Sequence, residues 1–325
     1  MDLRQRTKRF GFSVILCAFL LRLTAEGVFR QGILWVLQRD TVPTQIYSET
    51  GRNVRFSPSL EVLPEHFRES PPPWIQLPEK PAFSREDADL VQLYNTSDQH
   101  PDLEALLEKP LCWDLMAETP SVLILHTHGS ESYTPGEEPY AAVSAYRTLE
   151  EARNMLSIGE AVAEILEENG IGVIHDRTIY DYPSYNGAYS RTRESISEYL
   201  ANVPGIRLVL DLHRDASAAG GKQLRTEAVV DGKTAAQLML VQGTNYDTWE
   251  ENLSLAVKLQ VLLEKEYPGI MRPVNIRGQR FNQDLSPGVL LVEVGAAGNT
   301  RQEALIAAKA LAQALTVLAQ GSEYP

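Results

Sequence analysis

The chain has 325 residues, 43% hydrophobic and 22% charged, the balance of a globular protein with room for one large or two ordinary domains. Its net charge of −13 and pI near 5.0 exclude nucleic acid as a partner, because phosphate binding needs a concentrated basic face that this sequence lacks. Two cysteines in unlike surroundings, Cys17 and Cys112, argue against a structural disulfide.

Arg4, Arg6, Lys8 and Arg9 precede residues 10–21, which are apolar apart from Gly11 and Ser13, and apolar character returns intermittently from Arg22 to Leu37. A basic flank followed by an apolar run reads as a membrane signal anchor over residues 1–40, with Arg22 snorkelling and the rest of the chain outside the cytoplasm. A spanning helix uses about 20 residues, more than this run offers, so a cleaved signal peptide and an amphipathic helix are the other readings. Residues 41–116 read as a Pro-rich tether or accessory region: Pro71, Pro72 and Pro73 follow Ser70, and Pro78, Pro81 and Pro101 follow in turn. Short helices fit 85–94 and 102–108, but the prolines argue against an independent core.

In residues 117–325 the pattern changes. Apolar runs at 122–125, 171–174 and 207–212 alternate with amphipathic stretches at 151–168 and 190–201, the grammar of an α/β domain. Within 151–168, Met155, Ile158, Val162, Ile165 and Leu166 recur at helical spacing, and Asn169-Gly170 supplies the stop. Further strands are expected at 227–230, 237–242, 274–276 and 289–292, and helices at 249–266 and 301–319. Asp231-Gly232 marks a hairpin within 227–242. The expected fold is a mixed, mostly parallel central sheet flanked by helices.

Three ionisable residues, His128, His213 and Glu293, fall at or just past strand ends, where open α/β sheets gather function. His128 and Glu131 form His-x-x-Glu, one of the spacings that puts two ligands on one zinc ion, and His213 can deliver a third. Two imidazoles and a carboxylate leave one position for water, whose acidity the ion raises, so the pattern points to metal-dependent hydrolysis. Glu293 interrupts an apolar strand, a costly place for a carboxylate without a task, and is assigned as general base and then general acid. Plainer readings stand beside these: a turn-capping Glu131, a hydrogen-bonded rim histidine at 213, and Glu293 as half of an ion pair with Arg147 or Arg214. His126 alternates with His128 along its strand, so one of the two faces the metal, and the spacing to Glu131 favours His128. His175 reads as a supporting or surface residue. Candidates for substrate contact are Arg147, Asn154, Tyr185, Asn186, Arg191, Arg214, Arg280 and Asn282.

In chain order, residues 125–133 (LHTHGSESY), 169–176 (NGIGVIHD), 182–191 (YPSYNGAYSR), 210–216 (LDLHRDA), 281–288 (FNQDLSPG) and 291–295 (LVEVG), with Asn299 and Thr300, resemble the stage II sporulation protein P family of cell-wall hydrolases. The resemblance implies a zinc amidase or carboxypeptidase-like fold. It also implies a membrane-anchored, zinc-dependent N-acetylmuramoyl-L-alanine amidase, with endopeptidase activity also attributed to the family, acting on septal peptidoglycan during engulfment in sporulation. Stage II sporulation protein D is the implied partner, His128 and His213 the implied metal ligands, and Glu293 the implied catalytic residue. Two choices stay open for the carboxylate ligand. The metallocarboxypeptidase spacing favours Glu131, whereas more distant wall amidases use a glutamate opening the following helix, here Glu150 or Glu151. A stem-peptide or cross-link endopeptidase and a non-catalytic peptidoglycan-binding protein are the alternative functions.

Overall fold

The computed structural model describes residues 45–47, 53–56, 83–111, 115–116, 120–135, 146–216, 218–219 and 222–321. The expected membrane segment, both cysteines and the prolines between 71 and 81 lie outside the described residues; among those described, no helix is long and apolar enough to cross a membrane. In chain order the strands are Gln45–Tyr47 (β1), Asn53–Phe56 (β2), Leu93–Asn95 (β3), Val122–Leu125 (β4), Val173–Asp176 (β5), Leu208–Asp215 (β6), Ala218–Ala219 (β7), Lys222–Gln223 (β8), Ala228–Val230 (β9), Lys233–Ala235 (β10), Leu238–Gly243 (β11), Val274–Arg277 (β12) and Val289–Ala296 (β13). The main sheet has the order β1-β2-β5-β4-β6-β13-β11-β12-β3. Strands β5, β4, β6 and β13 run parallel. Strand β11 joins β13 antiparallel and heads a second parallel group with β12 and β3.

The helices are Leu103–Glu108 (α1), Met155–Glu168 (α2), Ala188–Asn202 (α3), Trp249–Glu266 (α4) and Arg301–Gly321 (α5). Strand alternation assigns the layers. One side chain in two, including Val122, Ile124, Leu210, Leu212, Leu238, Leu240, Val292 and Val294, enters the principal core with α2, α4 and α5. On the other face Leu123, Leu125, Ile174, Val209 and Val289 pack against Ile196 of α3. Further along that face Met239, Val241 and Leu291 form a separate apolar patch. Beyond Tyr189 at the start of α3, no described helix residue joins it.

The structure moves several expected boundaries. The helix expected from 151 begins at Met155, because Asn154 caps it by accepting from the Leu156 N–H at 3.0 Å; Glu151–Arg153 is a separate 3-10 turn. The helix expected at 85–94 is a 3-10 segment, Arg85–Leu90, followed by β3. Leu93–Asn95 is extended because it pairs with Val274–Ile276, a tertiary demand invisible locally. The hairpin at Asp231-Gly232 joins β9 to β10, not 227–230 to 237–242. Both turn residues have positive φ, 50° and 73°, so the strands pair directly across a two-residue turn and β11 is released to the main sheet.

Candidate functional site

The carboxyl ends of β4 and β6 and the face of β13 that carries Leu291 and Glu293 open into one cavity of about 620 Å³. His128, Glu131, His213 and Glu293 all line it, as do Tyr185 and Tyr189. His128 comes from the turn after β4, and its ring lies 5.3 Å from that of His213. In the β6–β13 ladder, His213 pairs with Glu293. Beyond that pair the register shifts as Gly295 takes φ 71°. A Cβ there would lie 2.7 Å from Ala236, so the bend in β13 requires glycine.

Glu131 is buried and already occupied: its Oε1 accepts from Arg147 at 3.0 Å and its Oε2 from the Arg214 backbone N–H at 3.2 Å, 3.7 Å from His213 Nδ1. Burial would raise its pKa, but His213 and Arg214 outweigh burial and hold it at about 2. His213 is opposed by burial too, yet Asp211 and Glu131 hold it well above the ordinary imidazole range. Asp211 Oδ1 lies 2.9 Å from His213 Nε2, out of line for a hydrogen bond, so that Nε2 has no hydrogen-bond partner. His128 is pushed down to about 4 by burial and by His213, and its buried Nδ1 also lacks a hydrogen-bond partner. Burial raises Glu293 to about 8, with Glu131 and Asp215 adding and His213 opposing; its Oε2 is likewise buried and unpartnered.

Arg147 and Arg214 pair with Glu131, not with Glu293. Arg147 also reaches Asp181 at 2.6 Å and lies 4.8 Å from the centroid of the Tyr185 ring, which itself stacks on His128 at 4.3 Å. Arg214 donates to the carbonyls of Ser132 and Tyr146, tying down the segment that carries Glu131. Asn282 donates to the Tyr189 carbonyl. His126 and both alternative carboxylates lie elsewhere. Glu150 and Glu151 precede the helix and pair with Arg153 and Arg177. His126 is buried behind the cavity: Nδ1 faces the Leu212 carbonyl at 3.1 Å, so it carries the proton, and Nε2 accepts from His175 Nε2 at 2.9 Å. His175 is thus an interior brace and not a surface group.

Three contributors escaped the sequence reading. Asp211 accepts from Thr127 and sets its charge beside His213, Asp181 anchors Ser130 and Arg147, and Tyr189 stands 5.7 Å from His128. Only Asp211 carried a signal, as a second carboxylate within an apolar strand.

A family model described as stage II sporulation protein P matches residues 60–316. The stage II sporulation protein P of Bacillus subtilis (strain 168) is 29% identical over 259 residues, which are 75% of this chain and 60% of that protein. The match thus spans less than two thirds of the relative's length. Among solved structures, the CwlD amidase from Clostridioides difficile in complex with the GerS lipoprotein has a TM-score of 0.39 at 16% identity, over 61% of this chain and 94% of that one. The N-acetylmuramoyl-L-alanine amidase AmiC2 of Nostoc punctiforme gives 0.35 at 17%, over 62% and 94%. The chain belongs to the stage II sporulation protein P family.

Proposed function

We propose that the chain is a zinc-dependent peptidoglycan hydrolase that cleaves the amide between N-acetylmuramic acid and L-alanine, in septal wall remodelling during engulfment. The reading rests on His128, Glu131, His213 and Glu293 facing one cavity in which His128 Nδ1, His213 Nε2 and Glu293 Oε2 are buried without hydrogen-bond partners. Such atoms are rare and costly unless something satisfies them. Two imidazoles and a carboxylate beside an open cavity suit zinc, so the donor set fits the ion. Among the described residues no three His, Cys, Asp or Glu side chains already surround a common point. Loading therefore competes with the bonds Glu131 makes to Arg147 and Arg214.

In this reading His128, Glu131 and His213 hold the ion, which supplies Lewis acidity toward the amide carbonyl and acidifies water. Glu293 takes the proton of the attacking water and returns it to the departing L-alanine nitrogen. Burial sets Glu293 near 8, and added positive charge in the cavity lowers that value toward neutrality, where one carboxyl serves as base and then as acid. Arg147 and Arg214 orient Glu131. The same proposal makes residues 1–40 a signal anchor, puts the domain outside the cytoplasm, and takes stage II sporulation protein D as the partner.

The test is mass spectrometry of soluble products released from purified sacculi by the zinc-supplied protein, beside Glu293→Gln. Intact stem peptides freed from sugar are expected, and Glu293→Gln should cut the rate about 10²–10⁴-fold with zinc still bound. Shortened stems left on glycan would make it an endopeptidase, and wall binding without products, with or without zinc, a non-catalytic protein.

A further inference from the structure

The cavity extends well beyond the four proposed catalytic groups. In register across the sheet, Leu291 pairs with Val241, Val241 with Asn275, and Asn275 with Tyr94, so these side chains form a row on one face. All four line the cavity that His128 and Glu293 share, and so does Arg277. Strands lie about 4.8 Å apart, so the floor from β13 to β3 spans about 14 Å, the length of about four extended residues at ~3.4 Å each. The near part of the floor is apolar, formed by Met239, Val241 and Leu291. Its far part is polar. Asn275 Oδ1 is buried with no hydrogen-bond partner, and Tyr94 is 60% exposed at the sheet edge.

Charge marks this far end as well. Arg272 is committed to Asp215 at 2.8 Å and Arg214 to Glu131. Among the described residues no carboxylate pairs with Arg277, which is exposed. In a protein of net charge −13, an arginine left uncommitted at the end of a cavity is an anion receptor with a planar fork suited to a carboxylate.

We propose that this floor is the subsite for the peptide side of the substrate, an extended acidic peptide of about four residues running from Glu293 toward β3. Arg277 takes a carboxylate of that peptide, the Asn275 amide pairs with its backbone, and Tyr94 packs against its far end. The proposal rests on the hydrolase reading above, and it gives β3, which precedes the expected domain boundary at 117, a place in substrate recognition.

The test measures binding by calorimetry, using the full-length, zinc-loaded Glu293→Gln protein and a synthetic tetrapeptide stem with free side-chain carboxylates. The same stem with those groups amidated is the comparison, and Arg277→Gln, Arg277→Lys and Tyr94→Ala are added singly. The free-acid stem should bind about ten-fold more tightly than the amidated one, the scale of a charge-assisted contact. Arg277→Gln should bring that ratio close to unity, Arg277→Lys should restore part of it, and Tyr94→Ala should weaken both stems alike. Equal affinity for the two stems, or a preference that survives Arg277→Gln, overturns the subsite. Turnover is read separately with Glu293 intact. An acid preference without turnover removes the hydrolase reading and upholds the subsite, whereas turnover without the preference does the reverse.

Discussion

Lys258 sits in the core of α4, donating to the Leu106 carbonyl and to Ser254. Burial, with Lys109 adding, lowers its pKa from 10.5 to about 8. Both folded and unfolded chains are protonated there below about pH 8, so the folded state bears the full desolvation cost at neutral pH. Between about 8 and 10.5 the unfolded chain binds the extra proton, and stability rises with pH. Ser254 also donates to Leu106, so that carbonyl keeps a partner without the lysine. Lys258→Met should therefore stabilise by about 1–2 kcal/mol at pH 7, with the gain shrinking toward pH 10.5, as denaturant titrations across that range would show. Single residues were also where the sequence was most and least informative about the site. His128, Glu131, His213 and Glu293 could be picked out from strand ends and spacing, and they do share one cavity. Asp181 and Tyr189 could not, because their approach to His128 depends on how the chain after β5 folds back.

At the scale of elements, α2 lies against two histidines because residue 159 is glycine: a Cβ there would sit 2.6 Å from both His126 Nε2 and His175 Nε2. Rings in a packed interior cannot yield that space cheaply. Gly159→Ala should cost about 1–3 kcal/mol, visible as a lower melting temperature, and Gly159→Val more. Several segments that carry the family resemblance prove to be joints of the framework. Asn299 accepts from the backbone of Ala296 and Thr226 and donates back to Thr226. Thr300 and Glu303 cap α5 reciprocally, and Gln283 caps the end of β11 through Gly243 and Val241. A motif read along one dimension marks such a joint and a catalytic group in the same way, and only the partners tell them apart. Periodicity found the long elements, including the full span of α4, whereas a short piece such as β3 follows from a pairing partner distant in sequence.

At the scale of the molecule, α2, α4 and α5 cover one face of the sheet, and residues 83–111 add to that support: α1 and the 3-10 segment pack with α4, and β3 is the edge strand beside β12. A chain beginning at residue 83 loses β1 and β2 from the β5 edge, so its melting temperature should fall, but it keeps β3, α1 and the 3-10 segment. One beginning at 117 loses the edge strand and exposes Val274 and Ile276, and should melt well below it. Zinc gives an independent check on the proposed site, since a ligand bound only by the folded state stabilises by about 2.7 kcal/mol at a hundred times its Kd. Zinc should raise the melting temperature of the native chain and leave that of His128→Ala with His213→Ala unmoved. Among the described residues, the patch over Met239, Val241 and Leu291 is met by α3 only at Tyr189, so these residues form a shelf and not a tunnel. A tunnel must be threaded from a free end, whereas a shelf accepts a strand laid on it from the side. In the proposed reading, a peptide still joined at both ends could therefore lie on it as readily as one with a free end.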